Sequence, residues 1–162
     1  MPTFDNFKQL KKYFEESIKE SINEDVKKEI ITTIREHIEK DVNSVYDPTV
    51  YDRENYLEKS LVGETNKTQG GINLEVSHDE SEMYYNSVVT GSSIDGNAVA
   101  SWIEKGEIYP LWGYTSKDGE SFTYLEPRPY MKNSIKELKD EKVISHVLKK
   151  SLKEKGIESN VL

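Results

Sequence analysis

The sequence predicts an α+β fold: a long N-terminal helix, a small antiparallel sheet with an aromatic hairpin, a short middle helix, and a C-terminal helix packing on the sheet. Three observations predict it. Apolar residues recur at spacings of three and four through residues 4–38, the period of one helical face. Ile72, Leu74 and Val76 alternate with Asn73, Glu75 and Ser77, the period of a half-buried strand. Residues 108–114 and 121–125 are aromatic and β-branched, and Asp118-Gly119 between them is a strong hairpin signal.

The N-terminal region, 1–42, opens with Thr3 as a candidate cap. Phe4, Phe7, Leu10, Phe14 and Ile18 follow, then Ile22, Val26, Ile30, Ile34 and Ile38 at strict intervals of four. Such a repeat drifts by about 40° per step around a helix of 3.6 residues per turn. The helix therefore either bends or breaks, with Ser21-Ile22-Asn23 the expected place and Asn23 a candidate second cap. A helix this long overhangs a small core, and an overhanging helix usually packs on another chain.

Residues 43–62 read as a surface loop carrying Tyr46, Pro48, Tyr51, Arg53 and Tyr56, feeding a strand over residues 57–64. Gly70-Gly71 permits a turn into the alternating strand. Residues 78–82 read as a polar loop, 83–90 as a further strand and 91–96 as a flexible loop. Ala98, Val99, Trp102 and Ile103 then share one helical face, with Asn97 as candidate cap. Trp102 is expected to be mostly buried. Gly106 sits where a left-handed residue ends a helix.

Pro127 and Pro129 push Glu126 and Arg128 into extended conformations, so the last helix starts at or just after Pro129. Met131, Ile135 and Leu138 form its apolar face, which Val143, Ile144, Val147, Leu148 and Leu152 continue after a kink capped by Asp140. Gly156 with Ile157 has the form of a Schellman stop. All 162 residues fit one domain, divided into a helical 1–42, sheet and loops over 43–126, and a C-terminal helix over 127–157.

Charge and composition exclude several classes. The net charge is −8, which argues against a general nucleic-acid binder. The charge is uneven: residues 43–126 hold 5 Lys/Arg against 15 Asp/Glu, and residues 127–162 hold 9 against 5. Either these are solvated faces, or the acidic middle meets the basic tail between subunits or lines a passage that must not bind DNA. No cysteine is present, so neither a disulfide framework nor a thiolate metal site is possible. No apolar run approaches the ~18 residues that cross a membrane, and the first residues lack an apolar signal core. A cytoplasm, or a particle assembled there, is the expected location.

Candidate chemistry is sparse. His37, His78 and His146 each stand alone and read as surface residues, although His78 lies near Asp79 and Glu82. Gly70-Gly71 lacks the Lys-Ser/Thr of a phosphate loop, and no GxSxG occurs. Glu104 and Glu107 flank a helix end and read as exposed polar residues. Arg53 and Arg128, two of three arginines, sit in Tyr/Pro-rich loops. Their guanidinium forks suit carboxylates, either within the chain or between subunits. The reading is therefore no enzyme, no cofactor and no metal.

Several motifs stand in a telling order. Tyr46, Pro48, Tyr51 and Arg53 follow the long helix; Ile103, Glu104 and Gly106 end the middle helix; Arg128, Pro129 and Tyr130 open the last one; HVLKKSLKEKG closes it. This order resembles the tail-component, or tail-completion, family of long-tailed bacteriophages, encoded among head–tail joining genes. The chain departs from common members in lacking Asp-Thr-Gly before the first strand. The resemblance implies a virion structural protein at the head–tail junction or the top of the tail. It implies a homo-oligomeric ring, possibly a hexamer, around the DNA channel. Other connector or tail-tube proteins would be its neighbours, and DNA would pass without specific binding. Interface or structural candidates are Phe4, Phe7, Phe14, Tyr46, Pro48, Tyr51, Arg53, Trp102, Glu104, Gly106, Arg128, Pro129 and Tyr130. The competing reading is a monomeric acidic binding protein, of the immunity or inhibitor kind, that covers a basic partner.

Overall fold

The computed structural model describes residues 3–45, 55–82, 84–86, 93–106 and 126–159. Tyr46, Pro48, Tyr51, Arg53, Glu107 and the expected aromatic hairpin at 108–125 lie outside them. The architecture is α+β. The described chain divides into two compact units. One comprises Met1–Thr33, Val62–Ser77 and Ile135–Leu162; the other comprises Ile34–Leu61 and His78–Ser134.

The N-terminal helical region begins with α1, Phe7–Ser21. Asn6, not Thr3, is its cap: the Asn6 side chain accepts the Gln9 N–H at 3.0 Å. The helix does not break near Asn23. It widens into π-helical turns over Ile22–Val26, continues as α2, Lys27–His37, and widens again over Ile38–Asn43. The i→i+5 bonding of a π turn takes in an extra residue, which counters the drift of the four-residue repeat. Asn23 caps nothing and faces the sheet. The buried positions are Ser17, Ser21, Val26, Ile34, Ile38 and Val42, with Thr33 and His37.

Where a strand was expected at 57–64, a short helix α3, Tyr56–Lys59, precedes β1, Leu61–Thr68. The Ser60 N–H and Lys59 N–H close that turn on Tyr56 and Asn55 carbonyls, satisfying the backbone locally. Two residues link β1 to β2, Gly71–His78, in an antiparallel pair. Ile72, Leu74 and Val76 turn inward and their neighbours outward, as the alternation predicts. Residues 91–96 are not wholly loop: β3, Tyr84–Asn86, pairs antiparallel with β4, Ser93–Asp95, with Tyr85 opposite Ile94.

The middle helix α4, Gly96–Lys105, starts at Gly96, so Asn97 lies in its first turn and not at its cap. Gly106 has φ 69° and ends it as expected. Trp102 is only partly buried, like Val99 and Ile103, and Ala100 is buried. Glu104, on the same helix, is half-buried as well.

After Pro129 come α5, Tyr130–Asp140, and α6, Val143–Glu154. The kink is made by Lys142 in the left-handed region, φ 52°, in place of an Asp140 cap. Ile135 and Ile144 are exposed; Leu138, Leu152, Ser134 and Ser151 are buried. The last helix stops in a Schellman motif. The Ile157 N–H donates to the Leu152 carbonyl and Gly156, φ 76°, to the Lys153 carbonyl, both at 2.9 Å.

Candidate functional site

The second unit contains a joint that ties α4 to the start of α5. The Arg128 N–H donates to the Ile103 carbonyl at 2.9 Å. Next along, the Glu104 carboxylate accepts the N–H groups of Met131 and Lys132 at 2.9 and 3.0 Å. The first N–H groups of a helix have no internal partner, and their end of the helix is positive. Glu104 therefore caps α5 from another helix. Two of the motif groups picked out in the sequence, Ile103-Glu104-Gly106 and Arg128-Pro129-Tyr130, are thus one structural device.

Tyr130, 2% exposed, carries the joint inward. Its hydroxyl lies 2.9 Å from His78 Nε2, and His78 Nδ1 lies 2.8 Å from Ser60 Oγ. The Ser60 hydroxyl donates to the Leu57 carbonyl at 3.3 Å. A proton arrangement that satisfies this chain is Tyr130 O–H to Nε2, Nδ1–H to Ser60 Oγ, and Ser60 O–H to the carbonyl. That is the neutral imidazole. Burial pushes the His78 pKa below its ordinary value, in the same sense. His78 is therefore a half-buried connector and not a surface residue.

His37 is buried as well. Its Nδ1 is 2.9 Å from Asp41 Oδ2, which also accepts from Asn133 Nδ2 at 2.9 Å. Burial raises the Asp41 pKa, but the hydrogen bonds from Asn133 and His37 outweigh it and the net shift is downward. His146 is exposed, as expected.

Ser60 and His78 lie at nucleophile–base distance, yet the hydroxyl is fully buried and its proton is committed to a backbone carbonyl. The pair holds structure together and offers no accessible nucleophile. Among the described residues, no three His, Asp or Glu side chains gather as metal ligands.

Sequence reasoning missed the roles of Ser60, His78, Glu104 and Asn133. A signal existed for His78: the inward run Ile72, Leu74, Val76, extended by two, reaches it. None existed for Glu104, whose partners lie 27 and 28 residues away.

The first unit presents a different surface. Phe4 packs on Tyr13, with ring centroids 5.1 Å apart, and Tyr13 on Phe14 at 6.1 Å. Phe7 is 78% exposed and Phe14 38%. The same helix also borders an open groove of about 550 Å³, with Ile18, Ile22 and Ile72 among its walls and Lys12, Glu15 and Lys67 also lining it. Lys67 bridges to Glu15 at 3.0 Å, and this hydrogen bond and charge hold the Glu15 carboxyl below its ordinary pKa. Tyr13 also ties α1 to α6. The Tyr13 hydroxyl donates to the Lys155 carbonyl at 2.6 Å, Lys155 Nζ pairs with Glu20 at 3.1 Å, and Ser151 Oγ donates to Asp25.

Residues 6–154 match the YomN family. The chain is a member of the YomN family. The matched span runs from the α1 cap, Asn6, to the last residue of α6, Glu154. An SPbeta prophage-derived uncharacterized protein, YomN, from Bacillus subtilis strain 168 is 30% identical over 156 residues, covering 94% of this chain and 96% of that protein. The YomN family is thus a phage-associated one. No solved structure matches. No described helix of this YomN-family chain is long and apolar enough to cross a membrane.

Proposed function

We propose that this YomN-family protein is a non-enzymatic structural component of a bacteriophage virion. It acts at the head–tail junction or the top of the tail, as a subunit of a ring around the DNA channel. It is made in the host cytoplasm and ends in the particle. The observation that carries the reading is Phe7, 78% exposed on a helix that α6 already contacts through Tyr13 and Glu20. Phe14, 38% exposed, and the groove at Ile18, Ile22 and Ile72 add apolar surface on the same helix, and exposed apolar surface of this kind normally marks an interface. A prophage-derived relative covering nearly the whole chain supports the phage setting. The motif order of the tail-completion family supports the place within the particle.

In this reading α1 contacts a neighbouring subunit or ring. The acidic middle of the chain faces the channel, where it repels DNA phosphates and lets the genome pass. Arg53 and Arg128 lock loops near the subunit boundary. The test is particle assembly with the gene deleted. Filled heads and separate tails that fail to join are the expected result. Normal yields of joined, infectious particles would overturn the reading.

A further inference from the structure

Within the first unit, one helical stretch is flanked on two sides. On one side, Thr65 Oγ1 donates to Asn23 Oδ1 at 3.1 Å, and Gly63 closes on the Lys27 side chain. On the other, Ser151 of α6 bonds Asp25. Asn23 and Asp25 are two residues apart and do not share a helix face. The hairpin and α6 therefore cover different sides of one helix, and their outer faces look away from each other.

Those outer faces carry opposite charge. His146, Lys149, Lys150 and Lys153 follow on one exposed face of α6. Among the described residues none of the three lysines makes an ion pair, although Glu158 shares a cavity with Lys149 and Lys153. Lys149 and Lys153 are an i,i+4 pair of like charges, which destabilises a helix. On the outer face of the hairpin, Glu64 and Glu75 are exposed. The two-residue link between the strands sets them across from one another, and like charges directly opposite also cost stability. Neither has an ion-pair partner among the described residues. Val62 stands beside them, partly exposed, offering apolar surface to a lysine stem.

We propose that the lysine face of α6 docks on the Glu64–Glu75 face of the hairpin of a second copy of this chain. This rests on the ring reading above and supplies its subunit-to-subunit contact. Each face relieves the repulsion stored in the other. Complementary patches on different sides of one subunit make a head-to-tail contact, which closes as a ring or continues as a filament.

The experiment is sedimentation velocity on the full chain at low and high salt. Three proteins are compared: wild type, Lys149→Glu/Lys153→Glu, and Glu64→Lys/Glu75→Lys. Wild type is expected to associate at low salt and dissociate at high salt. Each reversed chain alone is expected to associate at least about tenfold more weakly. An equimolar mixture of the two reversed chains restores opposite charge at every contact and should associate again. A short DNA duplex is the second probe. Three results would overturn the proposal: a wild type that stays monomeric, a mixture that restores nothing, or duplex binding that depends on the lysines without self-association. The ring reading fails separately. Salt-sensitive pairing with normal particles from the gene deletion removes the ring and leaves this contact. A monomeric wild type with failed joining does the reverse.

Discussion

Glu104 caps a helix it does not belong to: its carboxylate receives the N–H of Met131 at 2.9 Å across 27 residues of chain. With the second bond to Lys132, this fixes where α5 starts and how it leaves the Pro-Arg-Pro elbow. Glu104→Ala removes a charge-assisted acceptor from each of two N–H groups, one part-buried and one exposed. The expected loss is about 1–2 kcal/mol, read as a lower midpoint in urea. Glu104→Gln keeps one acceptor and should lose less. An unchanged midpoint in both variants would show that the cap is dispensable.

Tyr130→Phe deletes a single oxygen and leaves His78 Nε2 without the hydroxyl that faces it. A buried polar atom left unsatisfied costs about 1–3 kcal/mol. A stability within a few tenths of wild type would show that water replaces the hydroxyl.

His78 also makes a pH prediction. Burial lowers its folded pKa below the ordinary 6.5. The unfolded chain therefore binds the proton first as pH falls. Stability contributed by the neutral imidazole is complete above about pH 6.5 and declines below it, until the folded pKa is passed. The urea midpoint of wild type should fall from pH 7.5 toward pH 5, and that of His78→Asn should fall less. Equal slopes for the two proteins would refute the assignment. Asp41 acts in a separate window, because its lowered pKa withdraws stability only as pH falls below its ordinary 3.8.

Gly106 and Gly156 both hold positive φ, 69° and 76°, where a Cβ is strained. Gly106→Val should cost about 1–2 kcal/mol or more, since a β-branched residue suits that region least. Open space surrounds Gly156, so Gly156→Ala isolates the backbone term alone. A neutral effect at Gly106 would mean that the turn rearranges.

Much of the fold was legible because it is local. The alternation of residues 72–77, the start of α5 after Pro129 and the glycine stops at Gly106 and Gly156 each follow from a few neighbouring residues. What was not legible depends on distant parts of the chain. The four-residue repeat announced a problem near Asn23, but only tertiary packing decides that π turns, and not a break, resolve it. Ser60, His78 and Tyr130 are ordinary residues at sequence separations of 18 and 52. The alternation that reaches His78 does not show which residues it will meet. Trp102 illustrates the opposite failure. Its apolar spacing was read correctly as a face of α4, yet that face is only partly covered among the described residues. On the candidate interface, Phe7 and Phe14 were recognised as surplus apolar surface, and both are exposed.

The central claim is that the exposed aromatic face of α1 joins this protein to its neighbours in a phage particle. Complementation of the gene deletion by Phe7→Glu/Phe14→Glu tests it most directly. Phe7 is exposed, so its replacement should shift stability by no more than about 0.5 kcal/mol, with Phe14 costing slightly more. The account predicts a folded protein, filled heads and few joined particles. Joined, infectious particles at wild-type yield from that variant would contradict it.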